Sequence, residues 1–275
     1  MPTNKSNPPD LSYIISLPPE KAIEYFKSKG YTFSWDWWDT WQEAHAKAFT
    51  VAKVMRMDIL QDIRDMIQKS LDEGITFQQF KKELEPKLKA KGWWGKKLIG
   101  DEQGATQVQL GSPHRLRTIY QTNLQTAYSA GRWKEQMENV DNRPYLQYVA
   151  VMDKRTRPAH AALNGKVFPA DDPFWDTHYP PLGFRCRCRV RALSAKNLKD
   201  RGLTVESSKG RLSNEDRLVS KKTGELQEVT AYRDPLTGEK IAPDVGFNYN
   251  PGKAAWKPDL KGYDKDIAKL YKRND

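Results

Sequence analysis

Apolar residues recur at three- and four-residue steps through the first third of the chain. After Pro18-Pro19 the run AIEYF predicts a short helix that Gly30 closes. From Trp35 to Glu73 there is neither proline nor glycine. Trp38, Trp41, His45, Ala48, Ala52, Met55, Ile59, Ile63 and Met66 form one stripe, which predicts a long helix or two in series. Gly74 ends it. Thr76 and Gln79 have capping-box spacing and open another helix through Phe77, Phe80 and Leu84. Helices in this succession predict a bundle or an arm over residues 1–90. Residues 91–111 hold five glycines and a Trp-Trp pair with little periodicity, and read as a linker or extended loop.

Ser112-Pro113 is an N-cap and first-turn pair. Behind it Leu116, Ile119, Tyr120, Leu124, Ala127 and Gly131 share one face of a helix running to about Asn139. A glycine inside a helix costs about 1 kcal/mol against alanine, so Gly131 predicts a close backbone approach. After Arg143-Pro144 the period changes. Tyr145 to Met152 (YLQYVAVM) predicts a strand, residues 153–184 a proline-punctuated loop, and CRCRVRAL a second, alternating strand. Ser194 opens a short helix. Short β-like pieces (GLTVESS, GELQEVTAY) and a Gly/Pro-rich tail follow. The fold class is α+β: a helical N-terminal part (1–90), a linker (91–111), a small α+β core with a long helix and a short antiparallel sheet (112–202), and β pieces with a tail (203–275).

A chain of 275 residues holds about two domains and buries a core without staples. No apolar run approaches ~18 residues, so no membrane anchor is expected. The N-terminus lacks a signal-peptide pattern, which predicts a cytoplasm-like space. The net charge of +11 is uneven. Residues 111–200 carry 15 basic against 8 acidic side chains, and ten of the fifteen are arginine, the side chain best suited to phosphate or carboxylate.

The alternation places Cys186, Cys188 and Val190 on one face and Arg185, Arg187, Arg189 and Arg191 on the other. Those arginines read as a charged, solvent-facing edge strand, or as partners for acidic groups, an acidic protein surface or DNA phosphates. The two cysteines, the only ones in the chain, read as buried small hydrophobes or as zinc ligands with His160 and His178. A disulfide between them would be strained. His45 sits on the apolar stripe as a core or interface residue. Trp37, Trp38 and Trp41 are candidate anchors for a partner, with ordinary core packing as the alternative. Asp153, Arg155, Arg157, His160, Asp176 and His178 share one loop region, and a metal-independent nuclease built on His160 is the enzymatic alternative. No spacing matches a catalytic signature, so no catalytic residue is assigned.

The order IYQTNLQTAYSAGRW, VMDKRTRPAHAALNGKVF, DDPFWDTHYPPLGFRCRCRV resembles the phage Mu F-like head morphogenesis family of minor head proteins. The resemblance covers about residues 112–195, and the tail DVGFNYNPGKAAWKPDL is also similar to Mu-type members. It rests on Asp153, Arg155, Thr156, His160, Leu163 and Gly165, followed by Pro181, Gly183, Cys186, Arg187 and Cys188. It implies a structural, non-enzymatic protein of the virion head, assembled in the bacterial cytoplasm. The implied partners are the portal protein, the major capsid or inner head proteins, and packaged DNA through non-specific phosphate contact. A transient assembly factor is the remaining alternative. In similar chains the two segments carry what resembles a zinc-binding set. The resemblance maps its first loop cysteine to Arg157, its second to His160 and its later histidine to Gly183, with Cys186 and Cys188 retained. The departures at Arg157 and Gly183 leave the expectation of no cofactor, with zinc as the alternative.

Overall fold

A computed structural model of the chain describes residues 19–40, 44–101, 104–221 and 223–256. The elements, in chain order, are α1 (Pro19–Lys27), β1 (Gly30–Tyr31), a 3-10 turn (Trp37–Asp39), α2 (Ala44–Lys47), β2 (Ala48–Phe49), α3 (Met57–Glu73) and α4 (Phe77–Ala90). Then come β3 (Lys96–Asp101), β4 (Gly104–Gln109), α5 (Pro113–Glu138), β5 (Tyr145–Val149), α6 (Pro158–Ala162), β6 (Val167–Pro169) and α7 (Phe174–Thr177). The last are β7 (Arg189–Leu193), α8 (Ala195–Arg201), β8 (Leu212–Leu218), β9 (Leu226–Arg233), β10 (Lys240–Ile241) and α9 (Pro251–Trp256). This is the α+β class that the sequence predicts.

Local chemistry sets most helix ends. Thr76 accepts from the Gln79 amide and Gln79 reaches back, opening α4. Ser112 caps α5 ahead of Pro113, and Asn139 closes it. Ser194 and Asn197 form a reciprocal cap on α8, which Gly202 ends in the left-handed region.

The continuous stripe from Trp35 to Glu73 is not one long helix. Asp36 and Asp39 cap a 3-10 turn, Lys53 turns the chain at a φ of 62°, and the long helix begins only at Met57. Residues 96–101 and 104–109, read as linker or loop, pair instead as the antiparallel strands β3 and β4. The tail likewise contains α9, packed so closely on α5 that a Cβ at Gly252 would overlap Trp133.

Among the described residues two large apolar clusters and a small third one (Ala46, Tyr249, Ala254) form the core, and α5 belongs to both large ones. Its Leu116, Tyr120, Leu124 and Ala127 pack with α1, α3 and α4 around Phe26, Ile63, Phe80 and Leu84. Farther along, Trp133 joins Leu146, Tyr148, Phe168, Trp175 and Tyr179 of the second cluster. Gly131 is the crossing point with α1: a Cβ there would lie 2.9 Å from the Ala22 amide nitrogen and 3.1 Å from the Lys21 carbonyl carbon. That close approach is what its place in the helix predicted.

The second cluster lies under an antiparallel sheet of order β6-β5-β7, with Tyr148 opposite Val190. A second antiparallel sheet, β10-β9-β8, packs beside it. The buried Lys166 ammonium joins the two regions, 2.9 Å from Asp234 Oδ2 and 3.2 Å from Glu206 Oε1. Asp234 in turn accepts from the Leu236 and Thr237 amides and shapes the turn after β9.

Candidate functional site

The loop after β5 and the segment before β7 meet against α5, and their local structure follows from a few side chains. Asp153 folds its own loop: Oδ1 accepts from the Arg155 amide at 2.9 Å, and its carbonyl accepts from the Thr156 amide at 3.0 Å. The same carboxylate receives both ends of the Arg187 guanidinium, at 2.7 and 2.5 Å, a two-pronged pair across the two segments. Hydrogen bonds from Arg187 hold the Asp153 carboxyl well below the usual carboxylate range. Thr156 donates to the Val151 carbonyl. Pro158 starts α6 and directs His160 inward. Leu163 is fully buried, Asn164 accepts from the Ala150 amide at 3.0 Å, and Gly165, at a φ of 87°, turns the chain into β6. The Asp-x-Arg-Thr…His…Leu-x-Gly pattern is thus the wiring of one loop.

On the facing side the Pro180-Pro181 bond is cis, with Pro181 buried. Gly183 follows at a crowded point, where a Cβ would push aside the ends of the Asp244 and Arg157 side chains. Arg157 pairs with Asp244 at 3.0 Å and donates to the Phe184 carbonyl at 3.0 Å. Arg185 has a φ of 60° and donates to Thr118 Oγ1 of α5. That turn delays the strand. β7 begins at Arg189 and not at Cys186, although Cys186, Cys188 and Val190 are all buried as the alternation predicts. Gln125 and Gln136 of α5 hold the carbonyls of Cys188 and Val190, at 3.0 and 3.1 Å.

These two frames bring His160, Cys186 and Cys188 together. His160 Nδ1 lies 3.6 Å from Cys186 Sγ and 3.5 Å from Cys188 Sγ, and all three residues are buried. Burial alone would raise the Cys186 thiol, but hydrogen bonds from Cys188 and His160 outweigh it and lower it. The bond from Cys186, with burial added, raises the Cys188 thiol.

A tetrahedral zinc with Zn–N of about 2.0–2.1 Å and Zn–S of about 2.3 Å separates N from S by about 3.5–3.6 Å. The three side chains fit that group. His160, Cys186 and Cys188 would hold it, and it would supply a Lewis-acidic centre tying the loop to the 186–188 segment. His178 is not with them. It is fully buried, with Nε2 3.0 Å from the Ile241 carbonyl and Nδ1 2.9 Å from Thr177 Oγ1, so both ring nitrogens are occupied in the sheet core.

The cluster forms the floor of a cavity of about 480 Å³. Arg117, Arg155, Arg157, Arg185 and Arg187 line its walls, with Gln121 and Gln125. Arg117, Gln121 and Gln125 escaped the sequence reading, although their four-residue spacing draws a polar line along an otherwise buried helix. Of the other strand arginines, Arg191 is exposed on an edge strand, and Arg201 and Arg189 crowd it with like charge.

The tryptophans separate. Trp37 stacks on His45 at 3.9 Å and packs against Phe184 and Phe247, inside this protein. Trp38 is half-buried at a cleft with Leu218 and Pro243, and its carbonyl accepts from Gln227. Trp41 lies outside the described residues.

The model of the family described as "Phage Mu protein F like protein" matches residues 61–191, which include α5, the loop and the Cys186–Cys188 segment. The chain is 48% identical over 253 residues to the "Putative capsid assembly protein F" of Escherichia phage Mu, covering 91% of this chain and 58% of that one. It is 46% identical over 229 residues to the "Mu-like prophage FluMu F protein" of Haemophilus influenzae, covering 82% of this chain and 55% of that one. Residues 61–191 thus belong to the Phage Mu protein F like family, and the similarity to these two F proteins runs on over most of the chain. The chain spans somewhat more than half the length of these curated relatives. No solved structure matches it.

Proposed function

We propose that this protein is a structural component of a phage head, acting in head assembly at the portal vertex and becoming part of the virion after assembly in the bacterial cytoplasm. The observation that carries this reading is the 48% identity, over 91% of the chain, to a protein named for capsid assembly. The geometry supports a structural over a nucleolytic role. His160 turns Nδ1 toward two thiols and Asp153 is paired with Arg187, so both are tied into contacts that hold the loop together. Among the described residues no helix is long and apolar enough to cross a membrane, in keeping with assembly from solution.

Attachment to head partners falls to the N-terminal part. Exposed apolar side chains gather there at Phe33, Trp35, Met55 and Met57, beside rather than on the packed Trp37. The Arg189, Arg191 and Arg201 group faces packaged DNA and neutralises phosphate without reading sequence.

The test is quantitative mass spectrometry of purified virions, counting the chain against the major capsid protein. A few to some tens of copies per particle is the expected result. Absence from particles that contain portal and capsid would overturn it in favour of a transient assembly factor. Phosphodiester cleavage lost in a folded His160→Ala variant would establish the nuclease instead.

A further inference from the structure

The family's resemblance set would surround a metal with protein ligands, and this chain does not supply them all. Arg157 stands at one of those positions and Gly183 at another. Gly183 carries no donor atom, and the space beside it is taken by the ends of the Arg157–Asp244 ion pair. Three ligand atoms remain, Nδ1 of His160 and the two Sγ atoms, all within 4.8 Å of one another. Their two N–S separations, 3.6 and 3.5 Å, are those of two edges of a zinc tetrahedron. The same three residues line the cavity, so the fourth corner faces open space rather than packed protein.

We propose that His160, Cys186 and Cys188 form a three-ligand site for zinc or a similarly soft divalent cation, whose fourth position opens into the arginine-walled cavity and takes a phosphate-type oxyanion.

The charges around the site favour that ligand. A divalent cation, two thiolates and a neutral imidazole sum to zero. Five guanidiniums line the cavity. Asp153 answers Arg187 and Arg155, and Asp244 answers Arg157, which leaves the wall positive. An oxyanion of modest size fits about 480 Å³ and can receive guanidinium hydrogen bonds while a single oxygen completes the tetrahedron. Beside the thiols, Tyr148 is fully buried with its hydroxyl at Cys188, whose coordinated thiolate would accept from it. Three protein ligands with one exchangeable position is the pattern of zinc sites that bind external ligands, whereas structural zinc is closed by four.

The experiment uses the full chain, reduced and stripped of metal, titrated with Co(II) and followed by its visible d–d and thiolate-to-cobalt bands, with zinc competition. One equivalent per chain, with intense tetrahedral bands, is expected. Inorganic phosphate should then shift the d–d bands saturably in the wild type. Arg155→Ala, at the cavity wall, should weaken that shift several-fold while leaving cobalt affinity unchanged. A 5′-phosphorylated oligonucleotide tested separately distinguishes a nucleic-acid end from a free anion as the source of the phosphate.

Cys188→Ser and His160→Ala should each lower metal affinity by more than the about 10–100-fold seen when only a supporting outer group is lost. Absorption-edge spectroscopy of the zinc-loaded wild type needs no variant to fold, and should give two sulfurs, one imidazole nitrogen and one further light atom. No cobalt binding by fully reduced protein would overturn the site. Bands indifferent to phosphate, or a fourth protein ligand, would overturn the open position.

Discussion

Replacing Lys166 by methionine removes the cation that links the two sheets while keeping the length of the side chain. The Lys166 and Asp234 side chains are only 7% and 5% exposed, 2.9 Å apart. Asp234 would be left as a buried carboxylate with only the Leu236 and Thr237 amides to oppose its charge. Breaking one side of a buried pair costs about 3–5 kcal/mol. At about 2–4 °C per kcal/mol for a chain of this size, Lys166→Met should lower Tm by about 6–20 °C in calorimetry. Asp234→Asn keeps an oxygen for both amides and removes the charge, so the double variant should recover about 1–3 kcal/mol over the sum of the singles. Acidity offers a second view of the same pair. Burial raises the Asp234 carboxyl, but Lys166 and the two amides outweigh it and lower it below its unfolded value. Its stabilisation is therefore present above the ordinary carboxylate pKa of about 4 and is lost as pH falls through the lower folded value, a loss absent from Asp234→Asn. A single variant that loses under about 1 kcal/mol, or strictly additive effects, would refute this account.

Gly131→Ala should destabilise by about 1–3 kcal/mol in urea unfolding, because the new methyl meets the α1 backbone and that clash exceeds the gain of about 1 kcal/mol in helix propensity. His45 and His178 are both held neutral. Burial and then the Lys29 charge lower His45 to about 3 against the Trp37 carbonyl bond, and burial lowers His178 to about 4 against the Ile241 carbonyl bond. Unfolding lets both protonate near pH 6.5, so stability should decline as pH falls from about 6.5 toward 4, and His45→Gln should flatten that decline in urea midpoints. Asp153→Asn should speed hydrogen exchange across residues 151–157 and 186–188 together, since one carboxylate closes the loop and holds Arg187; an effect confined to its own loop would show that the Arg187 pair does not join them.

Where a side chain acts on its own neighbours, the sequence was legible. The caps at Thr76, Ser112 and Ser194, and the crowded approach at Gly131, involve residues within four positions or a single missing Cβ. Spacing was misleading between Trp35 and Ala52. A three- and four-residue apolar rhythm runs there through a 3-10 turn, a four-residue helix and a two-residue strand, and part of it, such as Trp35, is exposed rather than packed. β3, β4 and β8 carry mostly exposed side chains, so no buried face marks them. At the site, alternation correctly put Cys186 and Cys188 inside. The meeting with His160, 26 and 28 residues away, depends on how α6 and the turn at Arg185 are aimed, which no local period encodes.

The division of α5 between two cores sets the order in which the molecule can be finished. All of the first cluster is drawn from residues 22–130, so it can close as soon as the first five turns of α5 exist. The second needs Tyr232 and Ile241, the Arg157 pair needs Asp244, and Trp37 waits for Phe247 to cover it. An early-folded N-terminal half therefore holds out an unfinished helix end, with Trp133 uncovered until α9 settles against it. A chain interrupted before residue 244 would keep its first core and leave Arg157, at the cavity wall, without its Asp244 partner.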